Sequence, residues 1–154
     1  MIEEFYQEFA DKFIFKVKKG FLYTENDVWA KIRDNEVQIG VTDFLQKLSG
    51  DATFIELPQK GKTVKQGEEI ASYETIKAVV SIIAPLDGVV IEVNSILNDK
   101  PELINEDPYD TGWLVIVSPT HLEKDKLQLL TAEKYFEIMK LKIKDEVWKS
   151  KKEV

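Results

Sequence analysis

The stretch from Phe21 to Val117 consists of short runs of strand-forming residues, and this pattern limits the fold more than any other feature. Gly, Pro, Asn and Asp separate the runs, and these residues favour tight turns. Several short strands with turn signals between them indicate a mainly β domain. The predicted strands cover residues 21–32, 36–41, 52–57, 69–73, 79–84, 88–93 and 112–117.

Helices are predicted mainly at the two ends of the chain. Ile2, Phe5, Tyr6, Phe9 and Phe13 recur at helical spacing, which predicts an N-terminal helical extension over residues 1–20. Apolar residues between positions 132 and 148 step mostly by three and four, so a C-terminal helix extension is predicted over residues 136–154. We expect this amphipathic helix to pack on its own chain. Shorter helical segments are predicted at 43–49 and 102–105.

Length and composition bound the class of protein. The 154 residues favour one domain with extensions, divided here into residues 1–20, 21–135 and 136–154. The formal net charge of −7 argues against nucleic acid as a partner. The sequence lacks both a long apolar run and a secretory signal, so we expect a cytoplasmic protein without a membrane partner. With no cysteine and one histidine, His121, a metal site is not expected.

Lys77 stands alone between two runs of strand-forming residues, in the sequence Tyr-Glu-Thr-Ile-Lys-Ala-Val-Val at positions 73–80. If the strands at 69–73 and 79–84 pair, Lys77 lies at the tip of their hairpin. A hairpin tip faces water, so the charge costs little there. Rigid strands on both sides hold the amine in one place, which suits an enzyme that must find and acylate one particular lysine.

The residues around Lys77 resemble the attachment hairpin of biotinyl/lipoyl domains. The resemblance lies in Glu-Thr-Ile-Lys-Ala at 74–78, Ala-Pro-Leu-Asp-Gly at 84–88 and Val-Ile-Glu-Val-Asn at 90–94. Biotin carriers typically place methionine on both sides of the lysine, whereas Ile76 and Ala78 flank it here, as in the lipoyl branch. Residues 37–44, 50–58 and 105–114 narrow the resemblance to the glycine cleavage H-protein family, over about residues 21–135.

This resemblance implies a barrel-sandwich hybrid of antiparallel strands, a mainly β (α+β) fold with peripheral helices. It implies lipoate attached to Lys77 by a lipoylating enzyme. It also implies a carrier, not an enzyme, that shuttles an aminomethyl group. The implied partners are the glycine decarboxylase P-protein, the aminomethyltransferase T-protein and dihydrolipoamide dehydrogenase, the L-protein. We expect the carrier to be a monomer.

The resemblance also suggests roles for three other residues. Glu74, three positions before the lysine, is either a recognition residue for the lipoylating enzyme or a solvated turn carboxylate. Gly88 matches the turn glycine, where a positive φ is expected. Trp113 is expected in the core and not at the cofactor, and His121 is expected to be exposed.

One departure from the family pattern leaves the pathway open. The family usually has His-Glu-Trp in its first strand, where this chain has Asp27, Val28 and Trp29. If the family's histidine and glutamate shield the loaded arm or dock the P-protein, their absence implies that this chain serves other partners. The first alternative is an H-like lipoyl carrier for sulfur oxidation with a heterodisulfide-reductase-like complex, or for lipoate assembly and transfer. The second is an interaction module without the lipoyl group.

Overall fold

Strands dominate the structure, a computed structural model that describes residues 4–152, with side chains described to residue 146. The strands are β1 Phe5–Ala10, β2 Phe13–Lys18, β3 Leu22–Tyr23, β4 Val28–Arg33, β5 Glu36–Val41, β6 Phe54–Glu56, β7 Thr63–Val64, β8 Glu69–Glu74, β9 Val79–Ile83, β10 Gly88–Val93, β11 Val115–Pro119 and β12 Leu130–Thr131. The α-helices are α1 Asp43–Ser49, α2 Leu103–Glu106, α3 Leu122–Asp125 and α4 Ala132–Lys152.

Two antiparallel sheets share one aliphatic core. The larger has the strand order β12-β3-β4-β5-β11-β10-β7, and the smaller has the order β6-β8-β9. Side chains from both sheets meet in the core, where the large fully buried aliphatic residues include Ile39, Ile82, Leu86, Leu97 and Leu114. The predicted mainly β architecture with peripheral helices is confirmed. Among residues 4–152, no helix combines the length and apolar character needed to cross a membrane.

The N-terminal segment is a β-hairpin, so the predicted N-terminal helix is wrong. β1 and β2 pair antiparallel over six residues each, and Asp11 in the tight turn has a φ of 54°. Phe15 and Val17 are buried on either side of the exposed Lys16, which is the two-residue period of a strand. Ile2, the first residue of the predicted helix pattern, lies outside the described residues.

Tertiary hydrogen bonds fix this hairpin beside α1. The backbone N–H of Lys16 donates to the Asp43 carboxylate over 2.9 Å, and the Lys16 carbonyl accepts from the Tyr109 hydroxyl over 2.6 Å. The Lys47 ammonium donates to the Ile14 carbonyl. Helical spacing in the first half of the segment is therefore outweighed by strand alternation in the second half and by contacts that a helix would not make.

The C-terminal helix α4 is confirmed, and it begins at Ala132, the first of the apolar residues at helical spacing. Thr131 caps it, since its hydroxyl accepts a hydrogen bond from the Lys134 N–H over 3.2 Å. It packs on its own chain in an aromatic cluster, as expected, and its large buried residues are Tyr135, Met139 and Ile143. The side chains of Val147 and Trp148, which end the predicted apolar stripe, lie outside the described residues.

Gly88 was expected to have a positive φ, and this expectation is wrong. It lies in β10 and is absent from the glycines with positive φ in the described chain, which are Gly20, Gly50, Gly61 and Gly67. The reason for glycine is the close approach of the next strand. A Cβ at position 88 would lie 2.3 Å from Val117 Cγ1 and 2.4 Å from the Ser118 carbonyl oxygen.

Gly88→Ala is therefore expected to lower the free energy of unfolding by about 3 kcal/mol, the cost of overpacking a tight interior site. Denaturant unfolding monitored by circular dichroism measures this loss. Ser81→Ala, an exposed change in β9, is the control and should stay within about 0.5 kcal/mol of the parent. Equal stabilities for the two variants would contradict the steric explanation.

Buried tyrosines make the fold sensitive to alkali. Burial raises the pKa of Tyr73 to about 12, and it also raises the pKa of Tyr23, Tyr109 and Tyr135. Unfolded tyrosines ionise near pH 10, so above that pH the unfolded chain binds fewer protons than the folded chain. Stability should therefore fall as pH rises from 10 to 12, and each such tyrosine contributes at most about 1.4 kcal/mol per pH unit.

Denaturant unfolding at a series of alkaline pH values checks this expectation. Tyr73→Phe removes one of the ionising groups, so its stability should fall less steeply between pH 10 and 12 than that of the parent. A parent stability that is constant from pH 9 to 12 would contradict the assignment of these tyrosines as buried and protonated.

Candidate modification site

Lys77 lies at the tip of the β8–β9 hairpin, as predicted. The antiparallel ladder runs to the end of both strands, and the Thr75 N–H then donates to the Ala78 carbonyl over 2.9 Å. Ile76 and Lys77 are left as the two turn residues, both with exposed side chains. The tip therefore presents one primary amine on a short, hydrogen-bonded turn.

Thr75 fixes the shape of this turn through its side chain. Its hydroxyl oxygen accepts from the backbone N–H groups of Lys77 over 3.2 Å and Ala78 over 3.1 Å. Sequence reasoning missed this role, although a threonine that opens a turn is a known signal for such side-chain-to-backbone bonds. The backbone that carries the lysine is therefore held independently of the lysine side chain.

The Lys77 ammonium is hydrogen-bonded to the C-terminal end of α1. Its Nζ donates to the Leu48 carbonyl over 2.7 Å. The last four carbonyls of a helix lack intrahelical partners and carry its negative dipole end, so they are favourable acceptors for a cation. Gly50, which follows the helix with a φ of 87°, lies beside the lysine stem, and a Cβ there would make only an ordinary van der Waals contact of 3.5 Å with Lys77 Cε.

Side-chain hydrogen bonds connect the end of α1 and the residues after it to the hairpin and to α2. The Ser49 and Tyr73 hydroxyls lie 2.7 Å apart. The Asn105 amide donates to the Gly50 carbonyl over 2.9 Å and accepts from the Ala52 N–H over 2.8 Å. Apart from Tyr73, these residues are distant in sequence from Lys77, so only the fold could bring them together.

Glu74 lies at the end of β8, next to the turn. Its carbonyl accepts from both the N–H and the hydroxyl of Thr53, over 2.8 and 3.1 Å. Its carboxylate is exposed and makes no hydrogen bond or ion pair with the described residues. The structure brings Glu74 and Lys77 to the same hairpin end, while the recognition role of Glu74 stays a prediction.

The other residues singled out by the sequence lie elsewhere. Trp113 is half-buried against the aromatic cluster, in line with its expected core position. His121 is exposed as expected, although its Nδ1 lies 3.1 Å from Asp87 Oδ2. The Gln66 N–H and, secondarily, His121 hold the pKa of Asp87 below its usual value. Among the described residues no acidic or histidine cluster is placed to hold a metal ion.

Asp27, which replaces the histidine of the usual family pattern, belongs to a buried hydrogen-bond network. Its Oδ1 accepts from the Tyr135 hydroxyl over 2.7 Å and from Lys142 Nζ over 2.9 Å. The Tyr135 hydroxyl also lies 2.9 Å from the hydroxyl of Thr42, the N-cap of α1. Asp27 has a φ of 65°, a conformation that Asp and Asn tolerate better than most residues. Asp27 therefore ties α4 to the β-sheet body.

Comparison with models of known protein families decides the identity of the fold. Residues 21–142 match the family described as "Glycine cleavage H-protein", well over half of the chain. The chain belongs to the glycine cleavage H-protein family. The expected lipoyl-domain-like fold and the lipoyl-carrier function are thereby confirmed, and proteins of this family carry lipoate covalently attached to a lysine.

Relatives within the glycine cleavage H-protein family cover most of the chain. A "Probable glycine cleavage system H protein" of Pyrococcus abyssi is 46% identical over 127 residues, which are 82% of this chain and 94% of that protein. The crystal structure of a glycine cleavage system H protein from Mycobacterium marinum has a TM-score of 0.71 and 36% identity, and the match covers 77% of this chain and 95% of that chain.

A third relative extends the similarity beyond residues 21–142. "Glycine cleavage system H protein 4" of Aquifex aeolicus is 36% identical over 148 residues, covering 94% of this chain and 81% of that protein. Residues 21–154 alone could not supply that coverage, so the alignment includes part of the segment before Phe21. The relative therefore aligns with at least part of the segment that forms the N-terminal hairpin here.

The residues of the hairpin fit an amide-linked lipoyl group. Such a group needs a primary amine that an enzyme can reach and a backbone that stays in place when the side chain is lengthened. Lys77 is exposed, and Thr75 holds its backbone through bonds that do not involve Nζ. An amide nitrogen keeps one N–H, so the bond to the Leu48 carbonyl is compatible with modification.

Proposed function

We propose that Lys77 is the lysine that carries lipoate in this chain, and that the loaded chain shuttles an aminomethyl group within the glycine cleavage system. The observation that carries this proposal is the position of the Lys77 amine, exposed at the tip of a two-residue turn between paired strands. The match of the surrounding residues to the family supports it.

The chemistry of the carrier is divided between the lipoyl group and the chain. When bound, the lipoyl dithiolane supplies the redox-active sulfurs that this cysteine-free chain lacks. The chain's own residues hold the attachment point rigid and expose it. A tethered group visits each partner at a high effective concentration and does not have to diffuse freely between them. The chain itself catalyses no step in this proposal.

Four partners follow from this function. The P-protein loads the arm, the T-protein unloads it, dihydrolipoamide dehydrogenase reoxidises it, and a lipoylating enzyme attaches it at Lys77. We place the chain in the cytoplasm and expect it to act as a monomer. Glu74 is assigned to recognition by the lipoylating enzyme, because its carboxylate is exposed and unpaired within the described structure.

Glycine–bicarbonate exchange with purified P-protein tests the function. The lipoylated chain should support exchange, while the unmodified chain and the Lys77→Arg variant should not. Exchange supported equally well by the unmodified chain would contradict the proposal, since the arm would then be unnecessary.

A second candidate is an H-like lipoyl carrier in another pathway, such as sulfur oxidation or lipoate assembly. One observation favours it: Asp27 and Val28 stand where the family pattern usually has histidine and glutamate. A chain that is lipoylated at Lys77 but inactive in exchange with the P-protein would support this second candidate over the first.

A further inference from the structure

Three exposed apolar side chains surround the tip of the β8–β9 hairpin. The exposed fraction is 96% for Ile76, 67% for Val79 and 55% for Phe54. Single exposed apolar residues are common on protein surfaces and need no explanation. Three at the same end of one small sheet, next to the candidate lysine, are a feature that folding alone does not require.

The strand register places Phe54, Glu74 and Val79 in one row. Phe54 pairs with Glu74 across β6 and β8, and Glu74 pairs with Val79 across β8 and β9. Directly opposed residues in an antiparallel ladder project to the same face. The neighbouring residues Ile55 and Tyr73 project to the other face and are buried in the core. We call Phe54, Glu74 and Val79 the outer row.

The outer row has an unneutralised charge at its centre. The Glu74 carboxylate stands between two apolar side chains, without a hydrogen bond or ion pair among the described residues. Burying an unpaired carboxylate in an interface is costly. A partner that covers this row must therefore bring apolar surface for Phe54 and Val79 and a cation for Glu74.

We propose that the outer row, together with Ile76, is the docking surface for the lipoylating enzyme, with Phe54 and Val79 as specificity-determining residues. This inference rests on the proposed attachment at Lys77. Val79 is two residues from Lys77, so its backbone lies within about 7 Å along the strand. An enzyme that encloses the Lys77 amine must cover this surface.

The chemistry favours the lipoylating enzyme over the later partners. The lipoylating enzyme must bring its active site to Nζ itself. There the amide C–N bond forms, the bond from the acyl carbon to the adenylate oxygen of lipoyl-AMP breaks, and the ammonium loses two protons. Enzymes that act on the finished arm work at its far end and need not enclose the lysine. Acylation also requires Lys77 Nζ to break its hydrogen bond to the Leu48 carbonyl.

Lipoylation kinetics test this inference. The full-length unmodified chain and its variants are incubated with a purified lipoate–protein ligase and lipoyl-AMP, and mass spectrometry follows the modification. Phe54→Ser and Val79→Ser should each lower kcat/KM by about tenfold or more, chiefly through a higher KM. Leu127→Ser, whose parent side chain is 81% exposed in the 3₁₀ turn Lys126–Gln128, is the matched control and should stay within twofold.

Further variants separate docking from folding. Phe54→Leu keeps an apolar side chain and should retain most of the parent kcat/KM, and all variants should share the parent's thermal unfolding midpoint. Parent-like lipoylation of Phe54→Ser and Val79→Ser would overturn the inference, even if both were poor substrates for the P-protein. Failure of the parent chain to be modified at Lys77 would overturn the proposed attachment and this inference with it.

Discussion

Lys77→Arg is expected to abolish lipoylation completely while leaving the protein folded. Arginine keeps the positive charge and a donor for the Leu48 carbonyl, but its guanidinium stays protonated and is not an acceptable amine for amide formation. The backbone of the turn is held by Thr75, and the lysine side chain is exposed, so the free energy of unfolding should change by less than about 0.5 kcal/mol.

Co-expression with the lipoylating enzyme, followed by intact-mass measurement and thermal unfolding, checks both parts of this expectation. Lys60→Arg is the matched control, because Lys60 is also an exposed loop lysine, and this variant should be modified to the same extent as the parent. A Lys77→Arg protein that still gains the lipoyl mass would mean that another lysine is the attachment residue.

Asp27→Ala is expected to destabilise the protein by about 3 kcal/mol. The substitution leaves the buried Tyr135 hydroxyl with one partner fewer and removes the ion partner of Lys142. It also places alanine at a φ of 65°, which adds strain. For a chain of this size, the midpoint of thermal unfolding should drop by roughly 6–12 °C. Urea and thermal unfolding measure these losses.

Asp27→Asn separates the components of this loss. Asparagine tolerates the same φ and offers an oxygen to the Tyr135 hydroxyl, while the charge opposite Lys142 is lost. Lys142 is partly exposed, so this charge should contribute little, and the cost of Asp27→Asn should be near 1 kcal/mol. If Asp27→Ala were as stable as the parent, the buried network would not be what anchors α4.

Local signals explain which elements were predictable from the sequence. Helix α1, predicted at residues 43–49, is bounded by the helix-capping residues Thr42 and Gly50. The Thr42 hydroxyl accepts from the Leu45 N–H, and the Gly50 N–H bonds back to the Gln46 carbonyl. The β8–β9 hairpin follows from two strand-forming runs with a short connection. Such signals depend only on neighbouring residues, so they can be recognised from the sequence.

The misassigned elements depended on tertiary contacts. Phe5 and Phe9 fit a helix as well as a strand, and the sequence does not reveal that Asp43 and Tyr109 would bond to the backbone of Lys16. The run at 21–32 was predicted as one strand, but the positive φ of Asp27 separates β3 from β4.

The candidate site was predictable only in part for the same reason. The hairpin tip follows from neighbouring residues, and the structure places Lys77 there, while Glu74 is the last residue of β8 and not part of the turn. The Leu48 carbonyl and Phe54 come from other parts of the chain. Only the strand register and the position of α1 bring them to Lys77.

The most direct measurement is the intact mass of the protein purified from its native host, with peptide mapping of residues 73–80. Our account predicts that the mass exceeds that of the bare chain by one amide-linked lipoyl group and that the mapped modification lies on Lys77. A native protein whose Lys77 is bare would contradict the account, and so would one whose lipoyl group lies on a different lysine.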